Sequence, residues 1–145
     1  MSRSGYTDDP DNLWLYRANV DRALAGRRGQ DCLRAIREAL DAMPKHELTS
    51  ESFQQGGMCT LGALAAHRGV DVSDLEPEWD GEWGPIVDQE EVARRFGIAT
   101  CMAAEIMYEN DDCGGMGIRY EPETPERRWR RMRAWVESRI AKESL

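Results

Sequence analysis

No run of apolar residues in this chain approaches the ~18 that a membrane-spanning helix needs, and the start, Met-Ser-Arg-Ser-Gly-Tyr-Thr-Asp-Asp-Pro, has no hydrophobic stretch of the kind found in secretory leaders. The expected location is the cytoplasm, with no membrane partner. Cys-x-x-Cys pairs are missing: the four cysteines stand at 32, 59, 101 and 113, and the two histidines, His46 and His67, are isolated. That spacing excludes a zinc signature and, in a reducing compartment, leaves the thiols as small apolar side chains. No Ser, His and Asp set lies in a recognisable nucleophile context, and Cys59, although near a predicted helix start, has no local base. Neither catalysis nor a cofactor is expected. Phenylalanine is scarce, with 2 in 145 residues, and Leu, Ile and Val are not abundant, so strands should be few.

The chain has instead 5 Trp, 7 Met and many Ala, which suits helices packed through small residues around a few large anchors. At 145 residues it is one domain by length. The least charged stretch runs from Gly56 to Gly69, with Met58, Leu61, Leu64 and Ala65 on one helical face and Gly69 placed as a left-handed stop. This is the expected central helix. Ahead of it, a polar arm over residues 1–11 leads into a helix that starts at Asp11 or Asn12, carries Leu13, Tyr16, Val20 and Leu24 inward and ends at Gly26. A second helix runs from Gln30 to Met43 and stops at Pro44.

Between Lys45 and Gln55 no helical period is found, and a short strand or hairpin is expected there at most. Residues 71–85 hold two prolines, two glycines, Trp79, Trp83 and six acids, the composition of a long irregular loop. Asp88 and Glu91 read as a reciprocal capping box with Val87 and Val92 as its hydrophobic staple, opening a helix through Phe96. A further helix from about Thr100 carries Met102, Ala103, Ile106 and Met107. Glu123-Thr124-Pro125-Glu126 opens the last one, with Trp129, Met132, Val136 and Ile140 on its inner face. The expected fold is mainly α: a single-domain bundle of five to six helices over residues 12–145, with at most one short β-hairpin.

Charge is distributed unevenly. Residues 1–70 balance nine basic against nine acidic side chains, residues 71–123 carry fifteen acids and three bases, and residues 124–145 carry seven bases and three acids. The acidic middle repels nucleic acid and attracts basic protein surfaces. The candidate protein-binding residues are Glu78, Trp79, Asp80, Glu82, Trp83, Glu105, Glu109, Asp111 and Asp112. The competing candidates, for nucleic acid, are Arg27, Arg28, Arg127, Arg128 and Arg131, with the last helix as a basic face. Residues 89–106 fit helix-turn-helix spacing around Gly97, but the second helix would present Thr100, Cys101, Glu105 and Glu109 to a groove and no cation. The acids at that helix's end lack the histidine of many helical metal sites, and no metal is expected.

Several longer strings tie the chain to relatives: Met-Ser-Arg-Ser-Gly-Tyr at 1–6, Gly-Arg-Arg-Gly-Gln at 26–30, Leu-Asp-Ala-Met-Pro at 40–44 and Gly-Gly-Met-Cys-Thr-Leu-Gly-Ala at 56–63. Phe-Gly-Ile-Ala at 96–99, Glu-Ile-Met-Tyr-Glu-Asn-Asp at 105–111 and Glu-Thr-Pro-Glu-Arg-Arg-Trp-Arg-Arg-Met-Arg-Ala-Trp-Val at 123–136 continue the set. Through them the chain resembles a group of small, functionally unassigned proteins of tailed phages and prophages. The resemblance implies a phage gene acting in the cytoplasm of a bacterial host. With the acidic surface, it implies a non-enzymatic accessory protein that binds a host or phage protein bearing a basic surface, in the manner of an inhibitor of host defence. The alternative expectation is a nucleic-acid-binding regulator built on the helix-turn-helix-like pair and the basic last helix.

Overall fold

The computed structural model describes residues 3–4, 13–80, 84–112 and 122–142. Among them are six α-helices and one short strand pair: α1 Leu13–Ala25, α2 Arg27–Ala42, α3 Thr60–Arg68, a 3₁₀ turn at Ser73–Leu75, β1 Glu78–Asp80, β2 Gly84–Ile86, α4 Gln89–Phe96, α5 Thr100–Asp112 and α6 Pro125–Arg139. The fold is mainly α. The hairpin, however, lies not in 45–55 but inside the segment expected to be irregular, with Glu78 opposite Ile86 and Trp79 opposite Pro85 in antiparallel register. Each strand is only three residues long, too short to give an alternating pattern against the surrounding prolines and glycines.

α2 begins at Arg27, three residues before the expected Gln30, because the turn between α1 and α2 is a single residue, Gly26. Gly29 allows this: a Cβ there would stand 2.0 Å from the Ala23 carbonyl oxygen. Gln30 is buried and joins three chain segments. Its amide nitrogen donates to the carbonyls of Leu24 at 2.8 Å and Arg139 at 3.0 Å, and its oxygen accepts from the Ala141 amide at 2.7 Å. The exposed carbonyl ends of α1 and α6 thus find a donor inside the protein.

α3 is capped by Cys59, whose sulfur accepts from the Gly62 amide at 3.3 Å, and closed by Gly69 in the left-handed conformation, φ 69°. Thr60 through Ala65 are buried, and Gly62 packs directly on the Phe53 backbone, where a Cβ would come within 1.8 Å of the carbonyl oxygen. Its last turn, Ala66 to Gly69, is exposed. α3 touches α2 and α5, whereas α5 touches α1, α3, α4 and α6, so α5 is the hub and α3 one of its neighbours. Met102, Ala103, Ile106 and Met107 of α5 meet Leu33, Ile36, Leu40, Leu61, Leu64, Met132 and Val136 in one core. The small residues of α3 let it approach closely, but its nine residues are too few to span the bundle.

Two helix starts follow the sequence closely. Thr124 accepts from the Arg127 amide at 3.3 Å with Pro125 in the first turn, and Asp88 accepts from the Glu91 amide at 3.1 Å. The second half of the expected capping box is different: the Glu91 carboxylate is engaged by Arg94 and Arg95 on its own helix. Val87 is half-buried and Val92 buried, as a staple requires. The arm also differs from expectation, since Arg3 and Ser4 are each 1 % exposed.

Candidate interaction surface

The acids of residues 71–123 have two fates. On α5, Glu105, Glu109 and Asp111 turn inward or are claimed by arginines. Glu105 is fully buried, and its two oxygens accept from Arg17 at 2.8 and 2.9 Å. Asp111 takes the guanidinium of Arg3 at 2.6 and 3.1 Å. Glu109 lies 3.9 Å from Arg131, and Asp112 is exposed. Three arginines, Arg3, Arg128 and Arg131, therefore gather where α5 ends. Arg128 donates to the Asn110 carbonyl at 3.0 Å, and Arg131 donates to the Glu109 carbonyl at 2.6 Å and the Asn110 carbonyl at 3.2 Å. Acids in the last turn of a helix oppose its dipole, and cations on its final carbonyls offset both. The placement of Glu105 and Asp111 removes them from an outward protein-binding face.

The same contacts dispose of two nucleic-acid candidates. Arg128 and Arg131 both pair with Glu123, at 3.2 and 2.7 Å, and Arg128 also donates to the Leu48 carbonyl at 3.3 Å. They close α6 onto α5 and the 45–55 segment. Arg27, Arg28 and Arg127 are exposed, but on the starts of two different helices. α4 and α5 do form a helix–turn–helix pair through Gly97, φ 67°, yet α5 buries Met102 through Met107 and so cannot enter a DNA groove.

Around the hairpin the arrangement is the opposite. Trp79 is 67 % exposed and Ile86 52 % exposed. Together with Leu75 and the carboxylate-bearing Asp74, Glu76, Glu78 and Asp88 they line an open groove of about 450 Å³. The two tryptophans of a loop of this composition are expected to tuck onto the body, and for Trp79 that expectation fails, because its three-residue strand holds the ring out from the bundle; Glu82 and Trp83 lie outside the described residues, and Asp80 is placed by its backbone on β1. Two of the lining carboxylates are tied to the body. Glu76 accepts from the Phe53 and Gln54 amides at 3.0 and 2.7 Å, anchoring the hairpin's approach to the body. Asp74 pairs with Arg95, an oxygen to Nη2 distance of 2.6 Å, and that hydrogen bond holds its carboxyl below the usual range. Glu78 is exposed.

Two other features are weaker. Trp14 and Leu15 on α1 are 73 % and 46 % exposed. A wider opening of about 700 Å³ beside Trp129 is lined by Lys45, His46, Glu47, Glu126 and Arg130, two acids against two bases and a histidine. There the His46 ring lies flat on Trp129, centroids 3.8 Å apart, and covers the ring face that a ligand would use.

Among the described residues, no group of three His, Cys, Asp or Glu side chains is placed to hold a metal ion, and no helix is long and apolar enough to cross a membrane. Burial raises the Cys32 thiol to about 11, so it is a neutral packing group at neutral pH. The residues that sequence reasoning missed are Arg17, Gln30 and Asn110, whose partners lie 50 or more positions away in most of their contacts, while Arg3, expected in a basic arm for nucleic acid, is buried on Asp111 instead. No local pattern announces such pairs. The chain matches no protein-family model, no curated protein and no solved structure, so its surfaces are read from their own chemistry.

Proposed function

We propose that this chain is a non-enzymatic protein-binding domain whose docking face is the hairpin groove, with Trp79 as the anchor and Glu78, Asp74 and Asp88 as an acidic rim that selects a basic partner. The observation that carries the reading is the exposure of Trp79 among carboxylates, while Glu105 and Asp111 of α5 and Arg128 and Arg131 of α6 are spent within the fold. A large aromatic in a shallow groove supplies the area that dominates association energy, and rim charge governs encounter rate and partner choice. The phage-group resemblance supports a host-cell protein as the partner, with interference in host defence or nucleic-acid handling as the role, in the host cytoplasm. The test is affinity capture from host cells with the full chain and with Glu78→Lys. The expected result is a partner retained by the wild type at low salt and depleted about tenfold with the variant, the size of effect a 1.4 kcal/mol change produces. Equal recovery with both chains overturns the proposal.

A further inference from the structure

The Arg3 side chain occupies a built receptor. Asp111 meets it with two oxygens, and the guanidinium carbon stands 5.0 Å over the centre of the buried Phe53 ring. Burial works against the charge on Arg3, yet Cys59 and Asp111 beside it raise its pKa above the ordinary value. Groups other than the occupant also hold the receptor. Asp111 Oδ1 also accepts from the Glu51 amide at 3.1 Å and from the Asn110 side chain at 2.7 Å. Asn110 is fixed in turn by the Thr60 amide and hydroxyl, at 3.0 and 2.8 Å, and by the Thr49 carbonyl at 2.9 Å. Glu51 adopts φ 65°, a conformation uncommon for a residue other than glycine, at the residue whose N–H is aimed at Asp111. A carboxylate oriented this way beside an aromatic face is preorganised for a planar cation.

The occupant is less well held than the receptor. Arg3 Nη1 is buried and makes no hydrogen bond. The main chain of the arm is fastened by the Gln89 amide, which donates to the Arg3 carbonyl at 3.2 Å and to the Ser4 carbonyl. We propose that the Arg3 slot is a guanidinium-binding site, filled by the chain's own arm and able to exchange Arg3 for an arginine side chain of a basic partner protein. The partner's basic character rests on the reading of the acidic groove; the slot's chemistry does not. A lysine, a point charge without the planar fork, does not satisfy both Asp111 oxygens in that geometry.

The test uses the full chain with N-acetyl-arginine amide as the probe. Arg3→Ala should bind it at least tenfold more tightly than the wild type, whose tethered Arg3 competes at an effective concentration of the order of mM. It should also gain thermal stability from it. N-acetyl-lysine amide should do neither, and Arg3→Ala/Asp111→Asn should lose the response. In the wild type, ~100 mM probe, far above that effective concentration, should shift the NMR signal of the Gln89 side-chain amide as the arm leaves. Trp79→Ala should leave probe binding unchanged, so failure of the slot and failure of the groove are read separately. Equal binding of the lysine probe, or no difference between the single and double variants, overturns the proposal. An unmoved Gln89 signal overturns it even if Arg3→Ala does not fold. A wild-type dimer abolished by Arg3→Ala also overturns it, since the slot then belongs to the arm of a second copy.

Discussion

Glu105 on α5 and Glu78 on β1 are the same side chain in the same acidic stretch, and they do opposite things. Glu105 is fully buried with both oxygens on Arg17, whereas Glu78 stands in solvent on a three-residue strand. The difference is the supply of arginine. α5 lies at the centre of the bundle, where Arg3 from the arm, Arg17 from α1 and Arg128 and Arg131 from α6 converge on it. The hairpin lies at the edge, where Asp74 and Glu76 are taken up in fastening it to the body. A run of acids in a sequence is therefore not a surface until the cations that meet it have been located. The hairpin, a two-stranded element with Glu78, Trp79 and Ile86 exposed, is the kind of low-stability part from which binding segments are drawn.

Five experiments strain this contrast. The largest effect is expected where an acid enters the interior without a cation: Leu64, 0 % exposed, changed to Asp should unfold the domain, because an unpaired buried charge costs several kcal/mol against a total of ~5–15. Loss of the circular-dichroism melting transition reports it. Next is Asp111→Asn, which strands the fully buried Arg3 and should cost ~3–5 kcal/mol in chemical denaturation. Glu105→Gln should cost less, ~1–3 kcal/mol, because the Arg17 side chain is 36 % exposed and can turn to water. A reversed order of those two would mean that the arm is not seated as described.

Acid titration gives a smaller effect. Hydrogen bonds from Arg94 and then Arg95 hold Glu91 at about 2, below its ordinary 4.5. A lowered carboxylate pKa contributes stability that is complete above pH 4.5 and is lost as the pH falls toward about 2. Asp41, lowered by the hydrogen bond from Arg133, acts in the same direction. Asp41 is exposed and Glu91 half-buried, both within reach of solvent, and the melting temperature should decline only gently across that window, with a shallower decline in Glu91→Gln. The smallest effect belongs to the groove's rim. Glu78→Ala should alter stability by less than ~0.5 kcal/mol in the same denaturation assay. A larger loss would place Glu78 among the carboxylates that hold the fold.

Periodicity and caps made the helices legible, because their signals are local: Gly69 and Gly97 as left-handed stops, Thr124 and Asp88 as caps, the inward Leu33, Ile36 and Leu40. The hairpin was assigned to the wrong segment, since three-residue strands leave no period and its exposed Trp79 supplies no buried face. Centrality was misjudged for a related reason. The low charge of α3 reflects close packing of small residues on Phe53, while α5, with Glu105 and Asn110 in its buried face, hides its role behind polar letters that only long-range partners neutralise. Of the candidate protein-binding residues, Glu78 and Trp79 share one open groove and Glu105 and Asp111 are interior ties.

Hydrogen exchange, measured on the chain alone and with its captured partner, tests the central claim most directly. The account predicts that added protection concentrates in residues 74–88, around Trp79, and that α5 and the arginine face of α6 exchange as before. Protection confined to α6, with residues 74–88 unchanged, would contradict it.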